Sequence, residues 1–355
     1  MLAAVWHARR DVRVEEVPDA PPPRQGEIRA VVEWCGICGT DIEEWRSGPV
    51  WVPTSDKPHP LTKRHAPLIL GHEVAARVAD VGPGVSGLSE GNLVAIDGLI
   101  GCGECFWCSR HQVNLCPKMA NIGLHFDGGL AEKVTVPAST AVLVPPGVAG
   151  DTAALAEPVS VAVRALRRGR LVLGESVAIL GGGMIGLATA AVARAAGASQ
   201  VIVIDPLEER RRLALGAGAG EVLDQRVDVA GAVAELTNGR GADLSVDAAG
   251  TAASGPQAIS VARSAGRAVI VGLAHKPSTT SFFDIVTGEK EVIGSLSHIA
   301  DEDFSEAVRL LSRGVLTADT IQAVKVPLEG AVDRGFEALT QPEPPAKVLV
   351  GKGAT

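Results

Sequence analysis

The chain has 355 residues, with 41 Asp and Glu against 33 Lys and Arg, 6 Cys and no Tyr. That length points to two domains with cores large enough to need no disulfide staples. A formal net charge of −8 excludes a bulk electrostatic grip on nucleic acid or an anionic membrane, and 46% hydrophobic residues exclude extensive disorder. The missing Tyr excludes the usual mechanism of nicotinamide-dependent reductases that use a phenol as proton donor.

The apolar stretch at the N-terminus is too short for a signal peptide, because Arg9, Arg10 and Asp11 follow at once. Alternating runs at 2–6, 12–17 and 27–34 predict strands, with Pro21, Pro22 and Pro23 between the last two. Runs at 73–81 and 92–96 continue the pattern across a Gly82-Pro83-Gly84 turn. The spacing predicts an all-β or α+β first part. The middle changes character. Short apolar runs at 177–180, 201–205, 221–223, 244–247 and 268–271 alternate with Ala-rich helical stretches at 187–196, 208–215 and 229–236. Such alternation predicts a parallel sheet covered on both faces. A helix at 301–313 and a strand at 346–350 follow. Residues 176–193 carry no charge and are long enough to suggest a membrane helix, but Gly181, Gly182, Gly183 and Gly186 interrupt them, so no membrane span is expected. Four of the six Cys lie within fifteen residues, which fits a cytoplasmic protein with metal-binding thiolates better than a secreted disulfide framework.

Three constellations carry chemistry. The first is a strand, then Gly181-Gly182-Gly183-Met184-Ile185-Gly186, then a helix, with Asp205 ending the next strand. Gly181 permits a tight turn, Gly183 lets the backbone approach a pyrophosphate, and Gly186 lets helix and strand pack closely. The helix N-terminus offers free N–H groups to phosphates. Asp205 accepts from ribose hydroxyls and repels a 2′-phosphate, so NAD is expected over NADP. The second is Cys102, Cys105, Cys108 and Cys116, spaced C-x2-C-x2-C-x7-C. Four thiolates this close wrap one tetrahedral ion with no open position, as in structural zinc. An iron–sulfur cluster or two disulfides are the alternatives. The third is the set Cys38, His72, Glu73 and Glu157. Mixed S, N and O ligands from distant segments suit catalytic zinc, although a His beside a Glu is often ordinary surface and a Cys is often core.

Cys38-Gly39-Thr40-Asp41, Gly71-His72-Glu73, the four-cysteine lobe, Glu157-Pro158 and the glycine motif with its Asp stand in the order found in zinc-dependent medium-chain dehydrogenases. The chain resembles that superfamily along essentially its whole length. Within it the chain is similar to the polyol and (R,R)-2,3-butanediol dehydrogenase branch, because Glu157 stands where alcohol dehydrogenases place a second Cys. A segment over 48–70 also lengthens the gap between Cys38 and His72.

The resemblance implies an α/β protein. A β-rich, partly open GroES-like catalytic domain would span 1–155, an inserted Rossmann NAD-binding domain 156–297, and a return to the catalytic domain 298–355, with the active site in the cleft. Cys38 and His72 would bind catalytic zinc, with Glu73 and Glu157 as carboxylates, one bound and one exchanging with water. Asp41 would orient His72. Gly181, Gly183, Met184, Ile185, Gly186 and Asp205 would hold NAD, with Arg210 along the adenosine edge and Val271, Leu273 and Leu296 near the nicotinamide amide. Zinc would polarise the hydroxyl of a secondary alcohol or vicinal diol, with 2,3-butanediol/acetoin leading and sorbitol-like polyols or other secondary alcohols as alternatives. A non-catalytic NAD-binding protein is the distant one. Thr40 would receive the proton. Glu43 stands where many relatives carry a relay His, and either a Glu serves as terminal base or the relay runs through water instead. His59, in the inserted segment, reads as a surface loop residue. Cys35 has no assigned role. Relatives pair their NAD-domain sheets edge to edge, so a homodimer or homotetramer through 291–295 is expected.

Overall fold

Strand Glu27–Gly36 is the axis of the first unit. It pairs antiparallel with Glu73–Val81 and Lys133–Pro137, and its end pairs with Val348–Gly351. Its buried and half-buried residues alternate until a register shift between Val32 and Trp34, after which Cys35 and Gly36 are both buried. Alternation is what a sheet with one covered face requires, and a bulge re-aims the residues beyond it. A smaller sheet joins Asp11–Glu16, Leu2–Ala8 and Leu68–Ile69. Trp6, Ile28, Leu70, Val74, Ile96, Leu130 and Phe336 fill the core between them.

The computed structural model describes residues 1–274 and 276–353; residues 354 and 355 of the expected return lie outside the described residues. The first unit comprises 1–157, 299–313 and the chain from Ala323 onward, and the second comprises Pro158–His298 and Gly314–Gln322. The segment after 298 therefore serves both units. Arg212 Nη2 donates to Gln322 Oε1 at 2.8 Å, which ties that short stretch to the second unit.

The second unit is a six-stranded, all-parallel sheet in the order Glu221–Leu223, Gln200–Ile204, Ser176–Leu180, Ala242–Asp247, Ala262–Ile270, Glu291–Gly294. All five residues of the central strand Ser176–Leu180 are buried, as expected of a strand covered on both faces. The expected helix at 301–313 begins instead as a π-helical turn, Ala300–Phe304, before the α-helix Ser305–Ser312. Asp303 accepts the N–H of Ile299 at 2.8 Å on its carboxylate across that turn. No helix among the described residues is long and apolar enough to cross a membrane.

Candidate metal centres and nucleotide site

Helix Gly39–Ser47 starts directly after Cys38, so the helix N-terminus and a thiol share one corner. Asp41 binds that corner together: its Oδ2 accepts the backbone N–H of Cys38 at 2.8 Å. Its Oδ1 faces His72 Nδ1 at 3.6 Å, both groups being almost wholly buried. The other ring nitrogen, Nε2, lies 3.3 Å from Thr40 Oγ1. One donor atom each from Cys38, His72 and Glu73 falls within 4.8 Å of the others. Three predicted ligands thus converge from segments 35 residues apart. Glu157, in the first turn of helix Ala156–Arg168, is 9% exposed and acts electrostatically on both His72 and Lys347.

The donor set fits a cation. Burial opposes charge on His72, yet Asp41, Cys38 and Glu157 outweigh it and hold the imidazole well above its ordinary range. Asp41 Oδ1 and His72 Nδ1 have no hydrogen bond and face each other across that 3.6 Å gap. A neutral ring with Nδ1–H toward Asp41 would turn its Nε2 lone pair toward the Cys38 sulfur, as a metal-ligating His requires.

Sequence reasoning missed Lys347. Its Nζ is buried, donates to Ile37 O at 3.0 Å and to Glu73 Oε1 at 2.6 Å, and also pairs with Glu73 Oε2. Burial disfavours its charge, but Glu73 and Cys38 more than compensate and raise its pKa. Sheet register explains the meeting. Gly36 pairs with Glu73 on one side and with Leu349 on the other, so the strand end stands between acid and lysine. A Cβ on Gly36 would collide with Glu73 Oε2. Nothing local in the sequence marks a Lys two residues before a strand pairing position as an active-site neighbour.

Glu43 accepts the indole N–H of Trp51 at 3.2 Å, a residue of the inserted segment. His59 is a correction: it is 7% exposed, not a surface residue. Its Nε2 pairs with Met119 O at 3.1 Å, and its ring packs on His125 with centroids 4.3 Å apart. Cys35 is fully buried, and burial pushes its thiol well up, so it is a core residue.

The four Sγ atoms of Cys102, Cys105, Cys108 and Cys116 also gather within 4.8 Å. All four thiols are free, and backbone N–H groups of Cys102 and Lys118 point at Cys116 Sγ at 3.5 and 3.4 Å. Gathered thiols receiving amide N–H groups suit thiolates around an ion.

In the second unit, Gly181 leaves its strand at φ +101°, a conformation that L side chains rarely adopt. A Cβ on Gly186 would collide with Gly181 O, so that glycine sets the strand-to-helix approach. Helix Met184–Ala195 begins at Gly183. Asp205 Oδ2 accepts from Gly182 N at 2.7 Å and Oδ1 from Leu207 N at 2.8 Å. Arg210 Nη1 lies 3.8 Å from Asp205 Oδ2, and Met184 and Ile185 open the helix. Val271 donates to Asp247 O at 3.0 Å, while Leu273 and Leu296 are exposed.

The chain matches the alcohol dehydrogenase GroES-like domain over residues 24–146 and the zinc-binding dehydrogenase domain over 184–313. It is 34% identical over 354 residues to (R,R)-butanediol dehydrogenase of Bacillus subtilis (strain 168), covering 99% of each chain. It is 34% identical over 343 residues to L-threonine 3-dehydrogenase of Pyrococcus furiosus, covering 95% of each. The crystal structure of 2R,3R-butanediol dehydrogenase from Bacillus subtilis superposes with a TM-score of 0.91 at 33% identity, covering 99% of each chain. With both domain types, both ligand clusters and the dinucleotide motif in place, the chain belongs to the zinc-dependent medium-chain dehydrogenases, in the branch of the butanediol dehydrogenases.

Proposed function

We propose that this chain oxidises a secondary alcohol or vicinal diol with NAD+, and that 2,3-butanediol, interconverted with acetoin, is its best substrate. The convergence of Cys38, His72 and Glu73 beside the Thr40 hydroxyl carries this reading. Cys38, His72 and the carboxylates Glu73 and Glu157 would hold the catalytic zinc; Cys102, Cys105, Cys108 and Cys116 would hold the structural one. Zinc supplies Lewis acidity that brings the pKa of a substrate hydroxyl toward neutrality, and NAD+ supplies the hydride acceptor.

The residues do the rest. Thr40 Oγ1 receives the hydroxyl proton, and Glu43, three residues on along the helix, takes it directly or through water. Asp41 fixes the ring of His72. Lys347 neutralises Glu73 and keeps it in place. Gly181, Gly183 and Gly186 let the backbone reach the pyrophosphate, and Asp205 binds the adenosine ribose hydroxyls. Arg210 flanks the adenosine, and Val271, Leu273 and Leu296 meet the nicotinamide amide. The products are a ketone, NADH and one proton.

The same reading supports a homo-oligomer. Glu291–Gly294 is the edge strand of its sheet, with Val292 45% exposed, and Phe282, Phe283 and Val286 of helix Phe282–Thr287 are each more than 70% exposed. A second copy adding its own edge strand would cover both. Six free cysteines, five of them candidate metal ligands, suit the cytoplasm.

Initial rates with NAD+ and NADP+ across the three butanediol stereoisomers, sorbitol and simple secondary alcohols test the reading. The expected outcome is NAD+-dependent turnover, highest on one butanediol isomer, by protein holding about two zinc ions per chain. Protein with about one zinc, or with no protection by NAD+ against unfolding, would contradict it.

A further inference from the structure

The second unit holds a buried acid to which the mechanism gives no role. In its sheet, Ser176–Leu180 lies beside Ala242–Asp247, and from that pair the strand order runs outward in opposite directions. Open parallel sheets bind their ligands at the carboxyl ends of the strands, at such a reversal. Three strands end there in register, because Leu180 pairs with Asp247 and Asp247 pairs with Ile270. Each runs directly into a loop: Gly181 and its turn, Ala248-Ala249-Gly250, and Val271-Gly272-Leu273. The first and third carry predicted NAD contacts, and the middle one lies between them.

Asp247 is buried and ties the three loops together. Its Oδ1 accepts the N–H groups of Ala249 at 3.0 Å and Gly250 at 3.1 Å, which folds the middle loop back over its own strand end. Hydrogen bonds to an ionised acceptor are about twice as strong as neutral ones. The backbone carbonyl of Asp247 accepts the N–H groups of Val271 at 3.0 Å and Gly272 at 2.9 Å. The folded loop then touches both neighbours. A Cβ on Gly181 would meet Ala249 Cβ at 2.9 Å, and a Cβ on Gly272 would collide with Gly250 N. Gly250 itself sits at φ +64°, where a Cβ would meet Leu273 N at 2.9 Å. The loop exit is also fastened: Thr251 N donates to Ser254 Oγ at 2.8 Å, and Ser254 N to Thr251 Oγ1 at 3.1 Å. Ala249 and Gly250 are thus a wedge between the glycine turn and 271–273, and one carboxylate oxygen holds the wedge in.

We propose that Asp247 is a positioning residue for the coenzyme. By folding Ala249 and Gly250 inward, it sets the spacing between the pyrophosphate seat at the glycine turn and the nicotinamide seat at 271–273. This rests on the dehydrogenase reading above. What the role requires is an acceptor oxygen at the reach of the Asp side chain.

The test uses the full-length zinc-loaded enzyme, with NADH binding measured by fluorescence and initial rates on 2,3-butanediol. Asp247→Ala is expected to weaken NADH binding about tenfold and to raise the KM for NAD+ by a similar factor, with kcat within about threefold. The KM for the diol at saturating NAD+ and the zinc content stay those of the wild type. Asp247→Asn, which keeps the acceptor oxygen, restores NADH binding to within about threefold of the wild type. Wild-type NADH binding in Asp247→Ala, with only a lowered melting temperature, makes the acid purely structural and overturns the proposal. A loss in Asp247→Asn as large as that in Asp247→Ala overturns it as well. Both outcomes leave the dehydrogenase reading standing. A wild-type protein that binds no NADH overturns that reading and this one with it, whereas one that binds NADH but oxidises no alcohol leaves the binding measurements to decide. If Asp247→Ala does not fold, Asp247→Ser, whose hydroxyl ends short of the two amides, decides by the same measurements.

Discussion

The two ligand clusters of the first unit are built in opposite ways. The cysteine lobe takes all four donors from one stretch of fifteen residues, with short 3-10 turns at Cys108–Arg110 and Val113–Leu115 folding it back on itself. The mixed site takes Cys38 from a helix start, His72 and Glu73 from the entry to a strand, and Lys347 from 274 residues further along the chain than Glu73. The lobe, held by short turns alone, is expected to depend on an ion for its shape, whereas the mixed site is braced by the sheet around it.

Removing ligands separates the two most sharply. Cys105→Ser with Cys108→Ser is expected to lose one zinc per chain and more than about 3 kcal/mol of stability, because binding energy at a structural site is folding energy. Cys38→Ala loses the other zinc and turnover by about 1000-fold or more, with little change in melting temperature. Metal analysis, thermal unfolding and initial rates distinguish the cases. Equal destabilisation by both substitutions would erase the contrast.

The buried pair gives the next effect. Lys347→Met leaves the Glu73 carboxylate without its partner and is expected to cost about 3–5 kcal/mol. Lys347→Arg keeps the charge and costs less. Urea midpoints read both. A neutral Lys347→Met would mean that Glu73 is held by the sheet alone.

The smallest effect lies where the two regions meet. His59, in the inserted segment, reaches the carbonyl of Met119, three residues past the last lobe cysteine. It packs on His125, whose Nδ1 accepts from Asn121 N at 2.9 Å. Burial, with His59 alongside, pushes His125 down to about 4 from its ordinary 6.5. The neutral ring is favoured in the folded state. Its contribution is therefore complete above about pH 6.5 and lost as pH falls toward 4, amounting to about 1–3 kcal/mol. His125→Gln should flatten that acid limb in urea midpoints taken at pH 7 and pH 4.5.

The same contrast decides what could be read from sequence. The lobe was legible because its ligands are neighbours, and the glycine motif because strand, turn and helix follow one another. Helix Val229–Leu236 carries the bounds its sequence pattern predicts. Lys347 and His59 were not legible. Each acts through register or a backbone carbonyl supplied by distant chain, and a lone charged residue or His gives no spacing to recognise. The π-helical start at Ala300–Phe304, where Asp303 accepts the Ile299 N–H, likewise has no spacing that marks it in the sequence.

The pairing of Glu73 with Lys347 also sets an order of events during synthesis. The lysine emerges 274 residues after the acid, and strand Val348–Gly351 must close beside Glu27–Gly36 at the same time. At about 5–20 residues per second, that interval is roughly 14–55 s. For that time the nascent first unit has a sheet with a gap and an acid with no counter-charge. Its thiol and imidazole leave the ribosome early, yet the pocket that makes them selective is finished only by the last strand. A ribosome-bound chain ending before Lys347 would carry every metal donor and still lack the finished site.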